Sequence, residues 1–268
     1  MKLIWNEIEK LTEQFKQLNF KDVIDFEKFH YYSLVYNSTA LEGSTLTELD
    51  TQLLLDDNLT ASGKPLEHHL MVKDNYKALK YAIEKANAKE LPSPELLKEL
   101  NANNMKNTGQ IVNSVMGTSD GTKGEFRLVQ AFSQALGYYL DPKKIPSAVE
   151  LLCEEIRNKM LTGLSVKVAY KLSFSSHFNL VYIHPWSDGN KRTSRLLMNY
   201  IQCYYGLPLS KVYVEDSHEY LEALKNSKKS ENIDLFSDFM AKQQVKYLKE
   251  KITDFENSQK KPGMTFLF

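Results

Sequence analysis

Two apolar segments of the chain are joined by a polar stretch, His184-Pro185-Trp186-Ser187-Asp188-Gly189-Asn190-Lys191-Arg192-Thr193-Ser194-Arg195. The segments at 164–183 and 196–205 have apolar residues all round the helical repeat, which is typical of helices buried in a core. Pro185 cannot continue the first helix and biases His184 away from helical geometry. The sequence therefore predicts a core of buried helices with His184 held rigidly at a helix end, as a catalytic base is held.

The second half of this stretch has the residues of an anion site. Gly189 and Asn190 favour a turn, so the second helix is predicted to begin at about Asn190 with its N-terminus facing the histidine. Free N–H groups at a helix start bind anions. Lys191, Arg192 and Arg195 add positive charge there, and the two guanidinium groups, three residues apart, share one helix face. The implied ligand is a polyphosphate.

The same stretch also has the groups needed for metal-assisted phosphoryl chemistry. Asp188 is its only carboxylate, and Mg²⁺ typically takes one or two protein carboxylates beside water and substrate phosphates. The residues therefore predict a Mg-nucleotide site. A histidine beside the phosphates favours proton abstraction from an acceptor hydroxyl, which then attacks phosphorus.

The stretch resembles the signature of Fic domains, H-P-F-x-[DE]-G-N-G-R-x-x-R. It matches that signature at His184, Pro185, Asp188, Gly189, Asn190, Arg192 and Arg195. The resemblance implies a mostly α fold, a Fic-like helical bundle with a small β-hairpin flap over the active site. It also implies a protein adenylyltransferase that transfers AMP from Mg-ATP to a Ser, Thr or Tyr hydroxyl of a target protein.

The resemblance further implies a role for each matching residue. His184 would be the base and Asp188 would bind magnesium. The backbone from Gly189 through Asn190 and Lys191 to Arg192 would hold phosphates. Arg192 would contact the β-phosphate of the nucleotide, and Arg195 would contact its γ-phosphate.

Two positions depart from the signature. Trp186 replaces a Phe that anchors the loop in the core, which is a change of packing. Lys191 replaces the last Gly of G-N-G, and the related Doc toxins, which carry A-N-K-R here, are phosphotransferases. This chain keeps Gly189 and Arg195, so AMP transfer is the first hypothesis. The alternatives are a phosphotransferase, transfer from another nucleotide such as UTP, and a catalytically silent nucleotide-binding interaction module.

A second resemblance lies nearer the N-terminus. Residues 26–41 predict an apolar helix that ends near Gly43, with Glu42 in its last turn. A carboxylate at a helix C-terminus is unfavourably placed, so either it is solvated or it pairs with a distant cation. In many Fic proteins an [ST]-x-x-x-E-[GN] helix blocks the ATP site and its Glu pairs with the second arginine of the signature. Ser38, Glu42 and Gly43 match that pattern, which implies autoinhibition through Arg195.

The rest of the chain is predicted to be helical apart from one region. Further helices are predicted at 2–18, 47–55, 66–86, 94–105, 146–161, 218–226 and 233–252. Residues 107–125 predict a loop, and residues 126–140 predict a small hairpin. The resemblance makes this hairpin the flap, which docks a target chain by strand addition. A two-stranded ribbon that only packs on helices is the alternative.

Composition excludes several classes of partner. The chain has 34 Lys plus Arg against 34 Asp plus Glu, so no net charge favours nucleic acid or an anionic membrane. No apolar stretch has the length of a signal peptide or a membrane span. Cys153 and Cys203 lack metal-site spacing and predict buried thiols, which suits a reducing compartment. We therefore expect a cytoplasmic protein.

Three regions are expected to pack as a single compact unit. They are an N-terminal helical region at 1–90, which includes the inhibitory helix at about 27–43, a Fic core at 91–215, and C-terminal helices with a tail at 216–268. The sequence leaves self-modification and homo-oligomer formation open. It does not name the target protein.

Overall fold

The computed structural model describes residues 2–18 and 26–260. As predicted, the protein is mostly α-helical and has a small antiparallel hairpin. The helices are α1 (Lys2–Gln17), α2 (Phe26–Ala40), α3 (Glu48–Asp57), α4 (Leu66–Asn87), α5 (Pro94–Asn104), α6 (Ile145–Met160), α7 (Val166–Ile183), α8 (Asn190–Tyr204), α9 (Ser217–Lys229) and α10 (Asp234–Lys260). The strands are β1 (Ile111–Ser114), β2 (Gly117–Asp120), β3 (Phe132–Ser133) and β4 (Gly137–Tyr138).

The core is built around α7 and α8, which pack along each other. The outer side of α8 is covered by α4, and α1 and α10 pack against α7. Leu180, Leu197 and Ile201 are fully buried in one cluster with Trp186, which leads from one helix to the other. Apolar residues are buried on several sides of both helices, and α8 also buries the hydrogen-bonded polar side chains of Asn199 and Gln202. The two buried helices predicted on either side of the polar stretch are therefore confirmed.

The prediction of a structureless loop at 107–125 is wrong. Strands β1 and β2 form an antiparallel hairpin within it. Val115 and Met116, at its tip, are both largely exposed. In this hairpin the apolar Ile111 is exposed and the polar Ser119 is buried, so burial does not follow an alternation of apolar and polar residues and periodicity could not reveal it.

The predicted hairpin within 126–140 is confirmed, although β3 and β4 have only two residues each. We call the segment from Val129 to Leu140 the flap. At the C-terminal end of the chain, α10 runs to Lys260 and so extends beyond the predicted end at 252. The predicted tail beyond Lys260 lies outside the described residues.

The structure also bears on the expectations about membrane spans, the two cysteines and the region boundaries. No helix within residues 2–18 and 26–260 is long and apolar enough to cross a membrane. Cys153 is buried as predicted, Cys203 is only partly buried, and both are free thiols. The division at residues 90 and 215 stays a prediction, and α1 from the first region packs on α10 from the last.

Gly124 joins the polar loop to α5. Its φ is 66°, and its carbonyl accepts a hydrogen bond of 2.9 Å from Nε1 of the fully buried Trp186. A Cβ added to Gly124 would lie 2.1 Å from the carbonyl oxygen of Lys98 on α5. Only glycine allows this approach together with a positive φ. Gly124 therefore fixes the distance between α5 and the loop that follows α7.

Gly124→Ala is expected to lower the free energy of unfolding by more than Gly163→Ala does. Both glycines have a left-handed φ, 66° and 70°, and alanine there costs about 1–2 kcal/mol of backbone strain. Only at Gly124 does the added Cβ also clash, because nothing lies within 4 Å of it at Gly163. Urea unfolding measures the difference, expected at about 1–3 kcal/mol. Equal losses would mean that the approach to α5 is not a constraint.

Candidate active site

His184 directly follows the last residue of α7 and has a left-handed backbone, with φ 50° and ψ 60°. Its N–H still donates to the Leu180 carbonyl at 3.0 Å, so the helical hydrogen bonds end on this residue. This conformation is uncommon for a residue with a side chain, and Pro185 excludes a further helical turn. The imidazole is therefore held at the end of a rigid, buried helix.

Two contacts fix His184 from the side of the flap. Its carbonyl accepts a hydrogen bond of 2.7 Å from Nε of Arg127. Its ring stacks on the ring of Tyr139, with centroids 3.7 Å apart and an interplanar angle of 14°. Sequence reasoning gives neither residue a role. Both fall within the predicted hairpin region, and Arg127 also ends the segment Gly124-Glu125-Phe126-Arg127, which resembles the G-x-[YF]-R pattern of Fic domains.

The imidazole of His184 is neutral at pH 7. Burial, followed by the positive charges of Arg127 and Lys191, lowers the pKa of this group to about 4. A neutral imidazole can accept a proton, which a general base must do. Its Nδ1 is buried and has no hydrogen-bond partner among the described residues. The site therefore contains a neutral imidazole, which is the form that a general base needs.

The loop after His184 is braced by its own side chains. Asn190 Oδ1 accepts from the N–H of Trp186 at 3.0 Å, and Asn190 Nδ2 donates to the carbonyl of Trp186 at 2.8 Å. Gly189 has φ 79°, and a Cβ there would lie 2.7 Å from Met105 Sδ and 2.8 Å from Asn101 Nδ2. Gly189 is thus required both by its φ and by its close approach to α5.

The start of α8 has unused donors. The helix begins after Gly189 without a side-chain cap, which leaves its first-turn N–H groups directed into the site. Arg192 is 3% exposed, and one of its nitrogens, Nη1, is buried without a hydrogen-bond partner among the described residues. Nη1 of Arg195 is in the same state. Buried guanidinium nitrogens without partners at a helix N-terminus fit an anionic ligand such as a phosphate.

Asp188 fits a magnesium ligand. Its side chain is 70% exposed, its Oδ1 accepts from the N–H of Gly189 at 2.5 Å, and its Oδ2 lies 3.2 Å from Nη2 of Arg192. Within residues 2–18 and 26–260, no group of three or more His, Cys, Asp or Glu side chains could hold a metal. A single accessible carboxylate suits Mg²⁺, which completes its shell with water and substrate phosphates.

Glu42 reaches the start of α8 from α2 and binds two cations. Its Oε1 lies 2.9 Å from Nη2 of Arg195, and its Oε2 lies 2.9 Å from Nζ of Lys191. Ser38 adds two contacts, because Arg195 Nε donates to its hydroxyl at 3.0 Å and Arg195 Nη2 donates to its carbonyl at 2.7 Å. We call the Glu42 contacts with Arg195 and Lys191 the carboxylate clasp.

The carboxylate clasp keeps Glu42 charged. Burial alone would raise the pKa of this carboxyl, but the charges of Arg195 and Lys191 outweigh burial, and the pKa lies below its ordinary value. A group with a lowered pKa stabilises the structure above its unfolded pKa and loses that contribution as the pH falls through its folded pKa. The clasp is therefore fully formed at neutral pH.

The structure brings the sequence-predicted site residues together around the start of α8, with two differences. Glu42 lies beyond Ala40, the last residue of α2, in a turn where Gly43 has φ 94°, so the prediction that it is in the last helical turn is wrong. The contact of Glu42 with Lys191 is not predicted from the sequence. The sequence does contain a reason to expect this contact, because Lys191 and Arg195 are four residues apart and share a face of α8.

Comparison with known proteins agrees with this geometry. Residues 91–202 match the model of the Fic/DOC family. The chain is 29% identical over 202 residues to Protein adenylyltransferase Fic from Nematostella vectensis, covering 74% of this chain and 43% of that protein. It is also 29% identical over 205 residues to Protein adenylyltransferase Fic from Aedes aegypti, covering 74% and 37%. The chain thus spans less than half the length of these curated relatives.

Solved structures share the fold. A Fic domain containing signaling protein from Bacteroides thetaiotaomicron superposes with a TM-score of 0.79 at 21% identity, covering 95% of this chain and 97% of that chain. Fic-1 from C. elegans superposes with a TM-score of 0.77 at 23% identity, covering 96% and 73%. At this identity the likeness concerns the fold alone, and the family match covers residues 91–202.

The rate of nucleotide turnover is expected to stay level from neutral pH down to about pH 5 and to fall only in stronger acid. The base acts when deprotonated, and the pKa of His184 is about 4 rather than the ordinary 6.5, so the active form persists into acid. The measurement is kcat/KM against pH, with circular dichroism at each pH to check folding. A rate that falls through a midpoint near pH 6.5 would contradict the effect of burial on His184.

Proposed function

We propose that the chain contains a Fic/DOC domain and is a protein adenylyltransferase that transfers AMP from Mg-ATP to a Ser, Thr or Tyr hydroxyl of a target protein. The observation that carries this proposal is the neutral imidazole of His184 beside the uncapped start of α8, where Arg192 and Arg195 have buried, unpartnered nitrogens. The names of the relatives support the choice of reaction.

The chemistry follows from these positions. His184 accepts the proton of the acceptor hydroxyl while the hydroxyl oxygen bonds to the α-phosphorus of ATP. The bond from that phosphorus to the bridging oxygen breaks, and pyrophosphate leaves with the electron pair. Arg192 and Arg195 would hold the β- and γ-phosphates and stabilise the charge on the leaving group. Asp188 would hold Mg²⁺, which neutralises phosphate charge when bound.

Transfer of phosphate is the second candidate. Lys191 stands where Fic signatures have glycine, and it gives the start of α8 a cation that can bind a phosphate. If Lys191 turned the nucleotide so that its γ-phosphorus faced His184, the same base would deliver phosphate rather than AMP. AMP transfer is favoured because Gly189 and Arg195 both follow the Fic signature.

The proposed enzyme is held inactive by the carboxylate clasp. The Arg195 guanidinium that is proposed to bind the γ-phosphate is already bound to Glu42 through Nη2, so a phosphate on its unpartnered Nη1 would lie beside that carboxylate. The side chain of Glu42 is only 16% exposed, so a phosphate beside it would be repelled with little screening by water. ATP would then bind only in a nonproductive pose. Lys191 strengthens the inhibition because it holds the second oxygen of the same carboxylate.

The expected cytoplasmic location belongs to this proposal, and the two free thiols Cys153 and Cys203 support it. Self-modification and homo-oligomer formation stay predictions. The target protein is defined here only by its chemistry, which is an accessible hydroxyl that can reach His184.

Labelled ATP tests the reaction. The full chain carrying Glu42→Gly is expected to transfer label from α-labelled ATP, and not from γ-labelled ATP, to itself or to proteins of a cell lysate. Adding His184→Ala should lower transfer by about 100- to 10,000-fold while ATP still binds. His218→Ala is the control, because this histidine is exposed on α9. Label from γ only would replace AMP transfer by phosphate transfer, and label from neither would favour a silent nucleotide-binding module.

Removing the carboxylate clasp tests the inhibition. Glu42→Gly is expected to raise transfer by about 5- to 150-fold, the usual range for coupling between two sites. Glu42→Gln should raise it less, because an amide keeps one hydrogen bond and loses the charge. Glu67→Gln, at an exposed position on α4, is the control and should change nothing. Equal rates for wild type and Glu42→Gly, with excess Mg-ATP and an accepting target, would rule out this inhibition.

A further inference from the structure

Arg127 lies between the flap and the loop that follows α7. It is 1% exposed, and its guanidinium donates to three backbone carbonyls. The acceptors are His184 O at 2.7 Å, Val129 O at 2.6 Å and Leu140 O at 2.5 Å. The backbone N–H of Arg127 also donates to the Pro185 carbonyl at 2.9 Å. Arg127 thus contacts His184 and Pro185, the two residues that follow α7, and also both ends of the flap.

No carboxylate is hydrogen-bonded to the Arg127 guanidinium among the described residues, so an ion pair does not offset its burial. Its side-chain hydrogen bonds go to carbonyls, and Asp141 acts on the guanidinium only through its charge. Burying a cation without a bonded carboxylate costs free energy, and an apolar side chain of similar volume is often at least as stable. The fork of donors is what an apolar side chain cannot supply. The geometry that this fork imposes is therefore its distinctive contribution.

The three carbonyls that accept from Arg127 belong to His184 and to the flap, which are the two parts of the site that must come together during transfer. His184 supplies the base, and the flap is the segment whose Tyr139 ring lies on the imidazole. The hairpin between Val129 and Leu140 has only two residues in each strand, and inside it Tyr139 N donates to Ala131 O and Gln130 Nε2 donates to Tyr139 O. Arg127 closes this hairpin at its base and joins it to the carbonyl of His184.

We propose that Arg127 is a positioning residue that holds the backbone of His184 and the two ends of the flap in one fixed arrangement, so that the base and an acceptor hydroxyl meet in register. This inference rests on the proposed transfer reaction and assigns a role to a residue outside the signature loop. Arg127 touches neither nucleotide nor acceptor in this role. It acts through His184 and the flap.

The proposal predicts a loss of turnover without a matching loss of nucleotide binding. A displacement of about 1 Å between reacting groups costs on the order of 100-fold in rate. In the Glu42→Gly chain, Arg127→Lys keeps the charge and loses the fork, so kcat should fall by about 10- to 100-fold. The KM for ATP should change by about twofold or less, because the phosphate contacts lie on α8.

Arg127→Met separates the charge from the fork. The charged groups that act on the imidazole are Arg127, Lys191 and Glu42. Without the Arg127 charge the pKa of His184 should rise, so kcat should begin to fall at a higher pH as the solution is acidified. Arg127→Lys keeps the charge and should leave that pH unchanged. A side chain that only filled space would not shift the pH profile. If Arg127→Met does not fold, the Arg127→Lys result decides.

The matched control is Arg157 on α6, which also donates to a backbone carbonyl, Pro92 O at 2.9 Å, far from the site. Arg157→Lys should keep the parent kcat. The inference is overturned if Arg127→Lys, folded by circular dichroism, also keeps the parent kcat while His184→Ala in the same chain is inactive. If His184→Ala is itself active, the proposed reaction fails whatever the Arg127 variants do.

Discussion

The start of α8 concentrates positive charge inside the protein, and this charge requires an anion. Lys191, Arg192 and Arg195 lie at the positive end of a helix that has no side-chain cap. In this structure Asp188 and Glu42 supply the negative charge, at distances of 2.9 to 3.2 Å. Glu42 thus stands as an internal anion in the place proposed for phosphate, while α2 packs mainly on α3 and α4.

In the proposed function, the same constraint links inhibition to catalysis. An anion site that is complete without ligand has a lower affinity for an external anion, because the two anions compete for the same donors. Ser38 lies near the C-terminal end of α2 and Glu42 lies in the turn that follows it, so one short segment accepts these hydrogen bonds from Arg195. A small displacement of this end of α2 would free Arg195 and Lys191 together, without rearrangement of the core around α7 and α8.

Much of the fold could be predicted from the sequence, since the central helices are rich in apolar residues and the loop between them has strong turn residues. Pro185 and Gly189 fix the end of α7 and the start of α8 by backbone chemistry alone. The β1–β2 hairpin could not be predicted because burial along its strands does not follow an alternation of apolar and polar residues. Arg127 and Tyr139 could not be assigned roles because their contacts with His184 depend on how the flap folds back over more than forty residues of chain. Local sequence patterns do not show which segments far apart in the chain come into contact.

The competition of Glu42 and the γ-phosphate for Arg195 can be tested with structures of the full chain, wild type and Glu42→Gly, bound to a non-hydrolysable ATP analogue and Mg²⁺. We expect the Arg195 guanidinium to stay on Glu42 in the wild type and to bind the γ-phosphate in the variant, with the α-phosphorus facing His184 only in the variant. The same nucleotide pose in both proteins, with Arg195 bound to Glu42 in the wild type, would contradict it.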